Sequence, residues 1–233
     1  MKRTLLPFSL AMLFAVFAVA QTLISQPAAA PLPADASRLS AGAYAITARG
    51  PDYRVWSKTE AEPGPFGKGV SRVRAYTELA SGMHFWSEGQ WQESRAEFTI
   101  TPEGYAVARR GQHQVIVSPI LNDARGAVDL QSAGGRMRST LLGLALRDRV
   151  NGNSLLVAQI KAGVVGRQVA PNEILFEDCS DALPYDVRLV YEIGGFHQDV
   201  ILKGSPDPGW LAARGFSRAT STLEIWTESF EPP

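Results

Sequence analysis

The chain has 233 residues with 23 basic and 23 acidic side chains, so it carries no net charge. That balance favours neither nucleic acid nor an anionic membrane as a partner, and short clusters such as Arg72/Arg74, Arg109-Arg110 and Arg136/Arg138 read as solvated strand faces. One cysteine, Cys179, excludes an intrachain disulfide, and a chain of this length can fold on packing alone.

In chain order, Lys2 and Arg3 precede an uncharged apolar run from Leu5 to Ala20 that ends in Ala18-Val19-Ala20. A basic start, an apolar stretch and a small-x-small ending predict a signal peptide over 1–20, cut before Gln21. Ala28-Ala29-Ala30 offers a weaker second site. The run is shorter than the ~20 residues that span a bilayer, and no cysteine follows it to carry a lipid. The expectation is an exported protein, periplasmic, cell-surface or secreted, with no membrane span after cleavage. Residues 21–39, with Pro27, Pro31 and Pro33, predict a flexible Ala/Pro-rich leader. A single β-sandwich domain is expected over 40–230. The ending Glu231-Pro232-Pro233 reads as linker, as if a longer relative would continue.

Within 40–230 the apolar residues recur at every second position, the period of a strand with one buried face. Ala43–Ala48 and Tyr53–Trp56 flank Gly50-Pro51, and Glu62–Gly69 reads as a loop. Val73, Ala75, Thr77 and Leu79 predict one half-buried strand, and Ala96, Phe98 and Ile100 another. Tyr105–Ala108, Val115–Val117 and Val128–Leu130 follow. Leu141–Leu146 and Leu155–Ile160 flank Asn151-Gly152, a dipeptide that tolerates the positive φ of a tight hairpin. A helix over Met137–Leu146 is the rival reading, and Gly143 favours the strand. Tyr185, Val187, Leu189, Tyr191 and Ile193 alternate with Asp186, Arg188 and Glu192, Val190 being the exception, before Gly194-Gly195 turns the chain into Phe196–Leu202. Asp207 and Pro208 start one helix of at most two turns, and Gly215 closes it. Leu223 and Ile225 mark a last strand. Many short strands, turns every 8–12 residues and no long helices predict an all-β fold, a large antiparallel two-sheet sandwich with at most one short helix.

Several strings carry a resemblance: Glu78–Trp86, Gly89–Ser94, Gly111–Val115 and Gly195–Lys203. Together they resemble the β-rich N-terminal region of large exported bacterial proteins of Verrucomicrobia-like organisms. The resemblance covers about residues 70–230, and it implies export and a surface role but no activity and no catalytic residue.

The residues themselves raise four chemical questions. His84, His113 and His197 are the three histidines, yet none is spaced two or four from another, so no metal site is expected. No Gly-x-Ser-x-Gly occurs, and His197 with Asp199 is only a fragment of a hydrolytic set. Carboxylates at Glu173, Glu177, Asp178, Asp181 and Asp186 are too many to single out a pair, and neither they nor Asn122-Asp123 has calcium-loop spacing. Cys179 sits among carboxylates that raise its thiol pKa, so a neutral, partly buried thiol is expected. No catalytic residue, no metal and no cofactor is therefore assigned. The aromatics are more pointed. Trp56, Phe85, Trp86, Trp91 and Tyr105 are candidates for an exposed platform, with Trp86 and Trp91 facing one another across a tight turn. Trp56, Trp86 and Trp91 are the candidate ligand-binding residues, since sugars stack on such rings. Cross-strand packing is the plainer use of the same rings. The expected function is a non-catalytic exported module for cell-surface or extracellular interaction, its partner a surface protein or a polysaccharide. The alternative is a carbohydrate-binding or carbohydrate-active domain.

Overall fold

The computed structural model describes residues 43–64, 66 and 68–230; the expected signal peptide and leader lie outside the described residues. Among the described residues the fold is all-β and antiparallel throughout, with one short helix. The sequence reading draws one domain over 40–230, whereas chain contacts divide the described residues into two compact units.

The smaller unit holds the described residues up to Arg95 and takes back Arg110–Gln112. It contains β1 (Ala45–Gly50), β2 (Tyr53–Pro63) and β3 (Gly69–Leu79) in one sheet, ordered β1-β2-β3, and a separate hairpin of β4 (His84–Ser87) and β5 (Gln90–Glu93). β2 and β3 pair without a break from Tyr53↔Leu79 to Pro63↔Gly69. Directly opposed residues share a face, so Arg54, Trp56, Lys58, Glu60 and Glu62 stand beside Glu78, Tyr76, Arg74, Arg72 and Val70. Ten of the eleven residues of β3 are exposed, on both faces. The expected alternation at Val73–Leu79 is present in sequence but buries neither side, with Val73 and Leu79 66% and 76% exposed. Cross-strand pairs rather than a core hold this ribbon: Arg54 to Glu78, Arg74 to Glu60 and Glu62, and Arg72 to Glu62.

The other unit is a sandwich built from the remaining residues, 96–109 and 113–230. Its first sheet contains β6 (Thr99–Ile100), β7 (Ala106–Ala108), β8 (Gln114–Val117), β9 (Val128–Ser132), β10 (Gly135–Asp148) and β11 (Ser154–Gln159). Its second is a meander of β12 (Gly166–Ala170), β13 (Glu173–Phe176), β14 (Tyr185–Glu192) and β15 (Gly195–Leu202). The helix α1 (Pro208–Ala212) and β16 (Ser221–Phe230) complete it. β10 is the longest strand, with β9 along Gly135–Ser139 and β11 along Gly143–Arg147 of one edge, while β16 fills the other edge from Arg138 to Asp148. The register slips at Gly143, whose φ is 142° and whose missing Cβ leaves room for the Ala158 carbonyl. The strand reading of Met137–Leu146 therefore holds; Leu142 is the extra residue of a bulge toward β16, and Gly143 next to it supplies the backbone conformation.

Val115, Val117, Leu141 and Leu144 of the first sheet pack with Ile174, Phe176, Tyr185, Val187, Leu189 and Tyr191 of the second in one buried cluster. β14 shows the expected alternation, with Tyr185, Val187, Leu189 and Tyr191 buried and Glu192 exposed. The helix buries Leu211 beside Leu146 and Phe216 in a small second cluster, and Asp207 caps it by accepting from the Trp210 N–H. Phe98 and Ile100 differ from expectation: Phe98 is buried but Ile100 is 45% exposed, and only Thr99–Ile100 is strand. The Phe98 amide is used instead by the Pro171 carbonyl, a long-range bond that fixes the residue outside the ladder.

Candidate functional site

Trp56, Trp86 and Trp91 all lie in the smaller unit. Trp56 is half-buried, and its indole N–H donates to Glu78 Oε2 at 2.9 Å. The Arg54 guanidinium lies 5.1 Å from its ring centre and also donates to both Glu78 oxygens. Tyr76, its partner in register, stacks at 6.2 Å and 15°. Tyr44 meets Tyr76 edge-on at 5.1 Å, and Lys58 caps Tyr44 with its ammonium 4.8 Å from the ring centre. The sequence reading missed Tyr44 and Tyr76. The available signal was parity: Tyr76 shares a strand face with Arg72, Arg74 and Glu78, so it stands in a charged, solvated row. The result is a ladder of cations and rings, Arg54–Trp56–Tyr76–Tyr44–Lys58. The donors around Glu78 hold its carboxyl below the usual carboxylate range, first through Arg54 and then through Trp56.

Trp86 and Trp91 oppose one another across a two-residue turn, Glu88-Gly89, in which both residues have positive φ (53° and 75°). That geometry matches the right-handed twist of a hairpin. The rings touch edge to face at 5.1 Å and 75°. Trp91 is half-buried, and Trp86 is 48% exposed. The structure thus brings Trp86 and Trp91 together, while Trp56 has its own partners on the β1–β3 sheet. Tyr105 belongs to the sandwich unit, where its hydroxyl accepts from Arg125.

The turn that joins β1 to β2 is held by a polar knot. His84 is buried, with Nδ1 2.9 Å from the Gly50 carbonyl and its own amide on the Pro51 carbonyl. The Gln112 side chain donates to the carbonyls of Pro51 and His84 and to Asp52 Oδ1. The other histidines are held elsewhere: His113 by the Gly195 carbonyl against the Tyr191 ring, His197 by Glu192. Asp199 pairs with Arg188, not with His197. No group of three His, Cys, Asp or Glu among the described residues is arranged to hold a metal ion.

In the sandwich unit, a recess of about 220 Å³ is lined by Tyr105, Asp123, Arg125, Asp129, Arg136 and Arg138, among others. Its acids are engaged: Asp123 accepts from Ser118, the Arg125 amide and the Arg125 side chain, and Asp129 takes Arg136 through two bonds. The acidic stretch 177–181 is likewise paired, Glu177 with Arg167, Asp178 with Lys203 and Asp181 with Lys161. Cys179 within it is fully buried, not partly. Its thiol donates to the Phe176 carbonyl, and burial pushes its pKa up to about 11. Backbone bonds from the Cys179 amide to Tyr185 and from Lys161 to the Cys179 carbonyl carry the residue inside.

No family model, no curated protein and no solved structure matches the chain.

Proposed function

We propose that this chain is a non-catalytic interaction module that works outside the cytoplasm and meets its partner through the β1–β3 sheet of the smaller unit. One observation carries the reading. β3 is an eleven-residue strand at the end of its sheet order that exposes Val70, Val73, Tyr76 and Leu79 to solvent. Proteins blunt or cover long apolar edges that they do not use. The export-type N-terminus and the resemblance to large exported bacterial proteins support the location. The test is retention of the purified protein on envelope fractions of the producing cell, read by hydrogen exchange. Slowed exchange over residues 69–79 is expected on binding; no retention, or slowing only in the sandwich unit, overturns the reading.

A second reading, carbohydrate binding, is favoured by Trp86, which keeps half its surface open beside Trp91. On a glycan array, binding that is lost in Trp86→Ala with the fold intact supports it, and no bound glycan sinks it.

A further inference from the structure

We propose that two copies of the chain join through the free edge of β3, antiparallel about a two-fold axis at Tyr76, so that two three-stranded sheets become one sheet of six. The inference rests on the reading of β1–β3 as the working surface and names a second copy as the partner. Among the described residues β3 pairs only with β2. Antiparallel strands exchange bonds at alternating residues, so every second residue of β3 turns its N–H and C=O away from β2.

Symmetry, charge and the matching of apolar side chains together choose the register. Two antiparallel copies of one strand in a continuous sheet need an axis perpendicular to that sheet. Such an axis keeps each side chain on its own face, and opposed residues must share a face, so the pairing centres on a residue and not between two. A centre at Val73 sets Arg72 against Arg74 twice, and a centre at Arg74 sets that guanidinium against itself. A centre at Ala75 sets Arg72 against Glu78 twice but leaves Leu79 opposite Ser71 and Val73 opposite Thr77, so the exposed apolar side chains stay uncovered. A centre at Tyr76 matches throughout: Arg74 meets Glu78 twice, Val73 meets Leu79 twice, and the two Tyr76 rings meet at the axis. The Trp56–Tyr76 row then continues as Trp56–Tyr76–Tyr76–Trp56 across the join, and the two most exposed large apolar side chains of β3, Val73 and Leu79, cover each other. One strand pair lies at the small end of specific interfaces, below roughly 1,200 Å², so association in the micromolar range is expected.

Sedimentation velocity of the purified protein over a wide concentration range is expected to show a monomer–dimer equilibrium. Arg74→Glu sets acid against Glu78 twice and weakens association by at least roughly tenfold. Arg72→Glu also loses a pair to Glu62, but it falls opposite Ala80, and it leaves association within about twofold. Register is read by oxidation. Opposed Cα atoms at ~5 Å are within disulfide reach, and Cys179 is buried. Tyr76→Cys therefore gives a covalent dimer on non-reducing gels, whereas Ala75→Cys and Thr77→Cys, each opposite the other, do not link singly. A monomer at every concentration, open-ended aggregation, or self-linking through Ala75→Cys overturns the proposal. A monomer that is still retained on envelope fractions overturns the dimer alone and leaves the interaction reading standing.

Discussion

At the residue scale, Gly143 and Cys179 show how much single positions carry. A Cβ on Gly143 would lie 2.1 Å from the Ala158 carbonyl oxygen, and φ of 142° is strained for any L side chain. Gly143→Ala is expected to cost about 3 kcal/mol, read as a lower urea midpoint at unchanged slope. Cys179 carries a pH signature. Its folded pKa is raised from 9.0 to about 11, so the folded state holds that proton longer than the unfolded chain. Its stabilising contribution is complete below pH 9 and is lost as pH climbs towards 11. Tyr191, raised from 10.0 to about 12 by burial, adds loss in the next interval. Urea midpoints should therefore fall above pH 9, and Cys179→Ala should flatten the first part of that fall. An equal fall in both proteins would remove the thiol from the account. The burial itself was not legible in the sequence. Glu177-Asp178-Cys179-Ser180-Asp181 reads as a solvated loop, and only partners far along the chain, Tyr185 and Lys161, draw its centre inside.

At the element scale, the hairpins were legible and their environments were not. Asn151-Gly152, Gly50-Pro51 and the four residues between Trp86 and Trp91 mark turns because few backbones tolerate what a two-strand reversal demands. β14 was legible because one of its faces is buried, and alternation reports that contrast directly. β3 has the same alternation with no core beneath it, and a pattern cannot name what covers it. The β4–β5 turn offers a direct check. Glu88 holds φ of 53° at a cost that Asn does not bear, so Glu88→Asn should raise stability by about 0.5 kcal/mol in thermal melts. The β2–β3 ribbon should respond to acid. Glu78 and Glu60 both have pKa values below the usual 4.5, lowered mainly by hydrogen bonds from Arg54 and Lys58 respectively. Their contribution is complete above that value and is lost as pH falls below it. The Trp56 indole N–H resonance is expected to move with a midpoint below 4.5, and to lose that titration in Glu78→Gln.

At the scale of the whole molecule, two units with unlike interiors imply unlike stabilities. The sandwich encloses Tyr185, Tyr191, Phe176 and Leu189 completely, whereas the β1–β3 sheet relies on solvent-exposed cross-strand pairs that water and salt screen. Native-state hydrogen exchange should find β14 amides opening only with global unfolding and β3 amides opening far more readily. Equal protection of the two strands would contradict that ranking. The arrangement around β10 has a further consequence. Its neighbours β9 and β11 lie nearby in the chain, but the opposite flank is closed by β16, more than seventy positions downstream of the residues it meets. Until that segment arrives, the longest strand of the protein presents an open flank beside a half-assembled interior. The closing strand acts as a latch, and a chain cut short before Ser221 should meet its siblings at that flank and precipitate where the intact chain stays dispersed.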